Sequence, residues 1–159
     1  MLMKLNDFNS LEELPTKGVV KLTNGKNYAE AIYESNIPFR PGVYLVYSLD
    51  VNGENEILLY YGKAGVTINS DAPHLNFHQL PERLLAATRI PKGHPDYDEN
   101  VKKDITRARL WPWYVSNIYK HGIKIYWFIT EWPKQNPNVF EKRIKLEMKQ
   151  KYPKWKKSI

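Results

Sequence analysis

The fold is decided by residues 42–62, which read GVYLVYSLDVNGENEILLYYG. Within this stretch, residues 42–49 and residues 56–61 are rich in β-branched and aromatic side chains, which favour β-strands. Between them stand Asn52 and Gly53, and an Asn-Gly pair is a strong signal for a tight hairpin turn. The stretch therefore predicts two antiparallel strands joined as a hairpin.

Outside the hairpin, the pattern predicts one further strand and several helices. Residues 123–132 read IKIYWFITEW and predict a third strand. We expect Pro112 to break a helix, because proline lacks the backbone N–H that a helix needs. Helices are predicted over residues 9–14, 27–34, 80–87, 98–110, from Pro112 to about residue 120, and over 139–151. This order predicts an α+β fold with a small antiparallel three-stranded sheet flanked by helices.

Length and composition exclude several classes of protein. With 159 residues, 42% of them apolar, and a mean hydropathy of -0.58, the chain fits one soluble domain. It has no cysteine, which excludes disulfides, a cysteine nucleophile and thiolate metal sites. No apolar run reaches the roughly 18–20 residues of a membrane span, and residues 1–7 lack the apolar core of a signal peptide. We therefore expect a cytoplasmic protein with no membrane partner.

Positive charge is concentrated near the C-terminus. The chain has 24 Lys and Arg against 17 Asp and Glu, a net charge of +7. Residues 130–159 hold nine basic and three acidic residues, a balance of +6, which leaves +1 for the rest. Such a local excess is typical of a nucleic-acid contact surface, but a basic helix that only faces solvent has the same composition.

Two short motifs lie on the hairpin strands, and two further residues follow them in a fixed order. Residues 42–44 read GVY, and residues 60–62 read YYG. Arg83 follows in a predicted helix, and Glu141 lies near the start of the last predicted helix. With these features the chain resembles the GIY-YIG nuclease superfamily over residues 41–153.

The resemblance implies a function and a division of the chain. Residues 1–40 would form an N-terminal extension, residues 41–153 a GIY-YIG-like nuclease domain, and residues 154–159 a basic tail. The implied activity is a metal-dependent DNA endonuclease that hydrolyses phosphodiester bonds, of the restriction, mobile-element or repair type. The long loop over residues 64–79 resembles insertions by which some restriction enzymes of the superfamily reach DNA.

The chain departs from the family pattern at two places. Many members carry a histidine about one turn after the arginine, where this chain has Ala87. Many also carry an asparagine just beyond the last helix, where this chain has Lys154 and Trp155. Two alternatives therefore stay open: a catalytically inactive nucleic-acid-binding module on the same fold, and an interaction domain whose basic tail binds an acidic protein. Because the segment before Arg83 is long, Arg89 competes with it for the arginine position.

The resemblance assigns roles to five residues. Tyr44 and Tyr60 would lie together on one surface of the hairpin, and one of the two would orient or deprotonate the attacking water. A tyrosine has an ordinary pKa of about 10, so a cation such as Lys63 would have to assist. Arg83 would hold the scissile phosphate with its planar fork of donors. Glu141 would be the single protein ligand of a divalent cation, Mg²⁺ or Mn²⁺, which would stabilise the leaving 3′ oxygen.

The same residues have structural interpretations. The two tyrosines fit half-buried strand positions, and Glu141 complements the dipole of a helix's first turn. Phe140, Ile144 and Met148 have the i, i+4, i+8 spacing of a core-facing stripe, and Glu141 lies at its margin.

Basic residues of the last helix and the tail are predicted to contact DNA. These are Lys142, Arg143, Lys145, Lys154, Lys156 and Lys157. The alternative footprint is Lys63, Lys102, Lys103, Arg107 and Arg109. Removal of residues 154–159 is expected to cost little core, apart from Trp155. In the 64–79 loop, His74 and His78 lack a third metal ligand, and one of them is expected to line the DNA groove or to pack within the loop.

Overall fold

The computed structural model describes residues 3–53, 55–68, 73–75 and 78–159. In chain order, the strands are β1 (Lys17–Leu22), β2 (Gly42–Leu49), β3 (Glu56–Ala64), β4 (Val66–Ile68), β5 (Pro73–Leu75), β6 (Ala87–Arg89), β7 (Asp104–Thr106) and β8 (Ile123–Ile129). The α-helices are α1 (Tyr28–Glu34), α2 (Leu80–Leu85), α3 (Arg107–Asn117) and α4 (Pro137–Lys151), and two short 3₁₀ helices (Leu5–Asp7 and Asn9–Glu13) precede β1. The predicted α+β class is confirmed.

The main sheet has four strands, so the prediction of three was wrong. Its order is β1-β8-β2-β3, and all neighbours are antiparallel. The additional strand, β1, lies in the segment 1–40 and pairs along its whole length with β8, from Lys17 opposite Phe128 to Leu22 opposite Ile123. The pattern hides this strand because Gly18 interrupts it. A β-carbon there would lie 2.3 Å from the Trp127 ring, so the glycine makes room for that tryptophan.

The sheet has an apolar layer on each face. On one face, Tyr44 and Val46 pack with α1, α2 and α3. On the other, Val43 and Leu45 pack with α4 and the N-terminal segment. The buried side chains of α4 include Phe140, Ile144 and Met148, which confirms the predicted stripe. No helix within the described ranges has the length and apolar character needed to cross a membrane.

Helix α3 contains Pro112, so the predicted break at this proline was wrong; a single helix replaces the two predicted over 98–110 and from Pro112 to about residue 120. Residues 104–106 form β7, which pairs with β6, so a helix over 98–110 was wrong. The buried Arg107 fixes the first turn, since its guanidinium donates to the carbonyl oxygens of Arg83 and Ala86, both at 3.1 Å. The helix tolerates the hydrogen bond lost at Pro112 because its buried side chains pack into the core on both sides of the proline.

The C-terminal tail, residues 154–159, packs against the edge strand β3. Trp155, the tail residue excepted in the expectation of little core, packs on the core, and so does the partly buried Ile159, which was not expected. The Trp155 indole N–H donates to the Leu58 carbonyl oxygen at 3.0 Å, and its ring stacks on Tyr61 with centroids 5.6 Å apart. The Ser158 backbone N–H donates to the Leu59 carbonyl oxygen at 2.8 Å. The tail therefore covers part of an otherwise unpaired sheet edge.

Candidate active site at the edge of the sheet

The two motif tyrosines lie side by side on one face of the hairpin. The register of β2 and β3 places Tyr44 opposite Gly62, two residues beyond Tyr60. The two tyrosine rings are stacked, with centroids 5.9 Å apart and planes inclined by 25°. A β-carbon on residue 62 would lie 2.6 Å from the Tyr44 hydroxyl oxygen. The glycine of the second motif therefore provides the space into which Tyr44 extends.

The hydroxyl group of Tyr44 is buried and has no hydrogen-bond partner among the described residues. Burial, and then the neighbouring Tyr60 hydroxyl, raise the pKa of Tyr44, while the guanidinium groups of Arg107 and Arg83 oppose the rise. A raised pKa keeps the phenol protonated, so Tyr44 can donate a hydrogen bond but is a poor base. Tyr60 is the more accessible of the two tyrosines, being only half-buried.

Arg83 lines a cavity at the end of β3. Its helix, α2, begins with a reciprocal capping arrangement between Gln79 and Glu82. The cavity has a volume of about 310 Å³, and its walls include Arg83, Lys63 and His78. The Nε atom of Arg83 is buried and has no hydrogen-bond partner in the described part of the chain. Two cationic side chains that line one small cavity form an anion-binding arrangement.

The competing arginine, Arg89, lies elsewhere. It is exposed on β6, with its Nε 3.6 Å from a carboxylate oxygen of Asp104, and it borders a different cavity. Of the two arginines, only Arg83 lines the cavity that Lys63 also lines. The other candidate of this region, the His74 side chain, lies outside what the structure describes.

Lys63 connects this cavity to the start of α4. Its ammonium group donates to the side-chain oxygen of Asn138, which is buried. The Asn138 amide in turn donates to the side-chain oxygen of Asn136, the N-cap of α4, at 2.9 Å. This chain of contacts fixes the first turn of α4 beside the end of β3.

Glu141 follows one turn after Asn138, on the same side of α4. It is half-buried, and none of the ion pairs or hydrogen bonds among the described residues involves its carboxylate. Burial raises the pKa of Tyr61, and the negative charge of Glu141 raises it further, so these two side chains lie near each other. Glu141 does not line the 310 Å³ cavity itself.

A divalent cation would need ligands from outside the protein in order to bind among the described residues. The described residues contain no group of three or more His, Asp or Glu side chains that could form an all-protein site. A single unpaired carboxylate is nevertheless the arrangement that Mg²⁺ accepts when phosphate oxygens and water supply the other ligands. Glu141 is the residue that would hold it.

The predicted catalytic residues lie on two faces of the sheet. Tyr44 and Tyr60 belong to the face covered by α2, whereas Lys63 and Glu141 lie on the face covered by α4. The C-terminal tail covers this edge strand at Leu58 and Leu59, so groups from the two faces can approach each other at the end of the strand, around Lys63. Lys63 and Arg83, one from each side, meet in the cavity at the end of this strand.

The predicted DNA-binding residues divide into free and engaged cations. Lys142, Lys145, Lys154 and Lys156 are exposed. Arg143 makes two hydrogen bonds with Glu13, both 3.0 Å long, and the pair raises the pKa of Arg143 and lowers that of Glu13. Lys157 places its ammonium group 4.4 Å from the ring centre of Tyr60 and 4.5 Å from that of Tyr61. The last residue of the predicted set thus contacts a motif tyrosine directly.

Arg107 and Asn138 are site residues that sequence reasoning missed. The sequence places Arg107 in the alternative DNA footprint, but the side chain is buried against α2, and its guanidinium lies 5.6 Å from the Trp111 ring centre. Asn138 carries a weak signal, since it is one of two asparagines around Pro137 at a helix start. Arg107 carries none, because only the tertiary structure brings it to Arg83.

Comparison of the chain with protein-family models, with curated proteins and with solved structures gives no match.

Proposed function

We propose that this protein is a metal-dependent DNA endonuclease of the GIY-YIG type. The observation that carries the proposal is the cavity shared by Lys63 and Arg83 at the end of β3, the strand that also carries Tyr60 of the stacked pair. Two cations suit a phosphodiester, and tyrosine hydroxyls suit the attacking water. The concentration of positive charge over residues 130–159 supports DNA as the substrate.

Each group has one task in this proposal. Arg83 and Lys63 bind oxygens of the scissile phosphate, with Lys63 held in place by Asn138. Tyr60 orients the attacking water, and Tyr44, which stays protonated, stacks on the Tyr60 ring. Glu141 would hold Mg²⁺ or Mn²⁺, which, when bound, supplies positive charge to stabilise the leaving 3′ oxygen.

The test is incubation of supercoiled plasmid with the protein in Mg²⁺ and in EDTA, followed by mapping of the ends. We expect the protein to produce nicked and linear DNA in Mg²⁺ but not in EDTA, and we expect the ends to carry 3′-hydroxyl and 5′-phosphate groups. A preparation of the Tyr60→Phe/Arg83→Ala double variant controls for contaminating nucleases. Equal cleavage by the double variant, or none by the native chain, would contradict the proposal.

A second function is favoured by one specific observation: the Tyr44 hydroxyl is buried and has no hydrogen-bond partner among the described residues. If the superfamily chemistry needs that oxygen at the substrate, the protein would be a catalytically inactive nucleic-acid-binding module. Salt-dependent DNA binding without Mg²⁺-dependent cleavage would identify this module.

A further inference from the structure

A second cavity lies on the opposite face of β3, between α4 and the C-terminal tail. It has a volume of about 420 Å³. Its rim carries four lysines: Lys145, Lys149, Lys156 and Lys157. Among the described residues, no carboxylate lines it, and none of these lysines takes part in an ion pair.

The floor of this cavity is aromatic. Tyr61, Tyr152 and Trp155 line it, with the Trp155 ring stacked on Tyr61. The position of Trp155 is fixed by its hydrogen bond to the Leu58 carbonyl oxygen, so the floor is formed before any ligand arrives. An aromatic floor beneath a cationic rim matches a nucleotide, which combines a flat apolar base with an anionic phosphate.

Lys157 connects this cavity to the candidate active site. Its ammonium group contacts the rings of both Tyr60 and Tyr61, which point to opposite faces of β3. A strand whose phosphate occupied the Lys63–Arg83 cavity could therefore continue around the sheet edge into the second cavity. Duplex DNA holds its bases in the stack, so only an unpaired nucleotide could place a base on the floor.

We propose that the lysine-rimmed cavity binds an unpaired segment of single-stranded DNA, with a base on the aromatic floor and phosphates on the lysines. The inference rests on the proposed function in that it places the DNA strand next to the cleaved bond. Binding itself needs no metal and no cleavage. It can therefore be measured in EDTA, whether or not the protein is a nuclease.

The experiment measures anisotropy of a labelled oligo(dT) of about 12 nucleotides, a length that one small domain can cover. The Lys145→Ala/Lys149→Ala variant removes two rim charges. The matched control, Lys17→Ala/Lys21→Ala, removes two exposed charges from β1, at the opposite edge of the sheet. We expect the rim variant to bind at least about tenfold more weakly and the control to stay within about threefold of the native chain. Equal losses in the two variants would overturn the proposal.

Tryptophan fluorescence tests the aromatic floor. Oligo(dT) should quench the native protein and Trp132→Phe, a control that removes a half-buried tryptophan outside the cavity. The quenching should disappear in Trp155→Phe. Quenching that persists in Trp155→Phe would exclude stacking of an unpaired base on the aromatic floor. The same conclusion would follow if a duplex of the same sequence bound as tightly as the single strand and lost as much affinity in the rim variant. If the native chain cleaves plasmid but the rim variant binds oligo(dT) as tightly as the native chain, this inference alone is refuted. If the native chain binds oligo(dT) as predicted but does not cleave plasmid, the nuclease proposal alone is refuted.

Discussion

The Tyr44 hydroxyl oxygen lies 2.6 Å from the point where a β-carbon on residue 62 would stand. Tyr44 is fully buried and cannot swing aside, so glycine is the residue that fits opposite it. Gly62, the glycine of the second motif, thus leaves room for the side chain of Tyr44, the tyrosine of the first motif, on the neighbouring strand. The two motifs of this hairpin are therefore in steric contact, whatever chemistry they support.

We expect Gly62→Ala to lower the free energy of unfolding by about 1–3 kcal/mol, because the added methyl group overpacks the core. Gly93→Ala is the matched control, since a β-carbon there would lie 3.9 Å from the nearest Trp113 atom. The control should stay within about 0.5 kcal/mol of the native chain. Urea unfolding followed by circular dichroism measures both, and equal stabilities of the two variants would contradict the packing relationship.

The buried Tyr44 hydroxyl makes stability sensitive to alkaline pH. Because burial raises the pKa of Tyr44, the unfolded chain loses this proton first as the pH rises above about 10, and unfolding becomes easier. The stabilisation is fully present below that pH. Above it, this one group should cost the native chain about 1.4 kcal/mol per pH unit until the folded protein also ionises.

Tyr44→Phe removes this pH dependence and should be at least as stable as the native chain at neutral pH, since the lost hydroxyl has no partner. Urea unfolding at several pH values between about 8 and 11 should show the variant gaining stability relative to the native chain. Tyr33→Phe, at an exposed position, is the control and should follow the native curve. If the free energies of unfolding of Tyr44→Phe and the native chain differ by the same amount at every pH, the Tyr44 hydroxyl is solvated and this account is contradicted.

Arg83 and Arg89 form a natural pair of variants for the phosphate site. Arg83→Ala should lower the single-turnover cleavage rate by about 10- to 100-fold, the value of hydrogen bonds to a charged group. Arg89→Ala should leave it near the native value, because Arg89 lies outside the cavity. The opposite ranking would place the family arginine at residue 89.

Deletion of residues 154–159 should destabilise the protein by about 2–4 kcal/mol, because it exposes Tyr61 and removes the Trp155 and Ser158 hydrogen bonds to β3. The control is Lys154→Ala/Lys156→Ala, which keeps the tail backbone and should be close to native in urea. For this control, the plot of log DNA affinity against log salt should flatten by up to about 0.9 per lost phosphate contact. A deletion as stable as the native chain would mean that the tail does not pack on β3 in solution.

The hairpin and the last helix could be predicted because local signals and tertiary packing agree there. Strand β2 matches the predicted residues 42–49, and α4 begins two residues before the predicted 139–151. Strand β3 continues past Gly62 to Ala64 because pairing with Gly42 and Val43 extends it. Glycine is a poor strand former by itself, so the ladder, and not the local sequence, determines where this strand ends.

The remaining differences arise from long-range contacts. Strand β1 contains Gly18 because a side chain there would collide with the ring of Trp127, which is more than 100 residues away in the sequence. The start of α3 depends on hydrogen bonds from Arg107 to α2 and its C-cap, and its continuation through Pro112 depends on the core. For the site, the elements that carry Tyr60, Lys63 and Arg83 could be predicted, since Tyr60 ends the second hairpin strand and Arg83 lies in the helix that follows. The burial of the Tyr44 hydroxyl and the separation of the residues onto two sheet faces require the fold.

The measurement that most directly tests the nuclease proposal is the single-turnover cleavage rate of Glu141→Gln in Mg²⁺, together with its DNA affinity in EDTA. Glu141 has no structural partner in the described part of the chain, so the variant should fold and bind DNA normally. The account predicts a rate at least about 100-fold lower, because the metal ligand is lost. Glu34→Gln, at an exposed position of α1, should retain the native rate. Cleavage by Glu141→Gln within about tenfold of the native chain would contradict Glu141 as the metal ligand and, with it, the proposed mechanism.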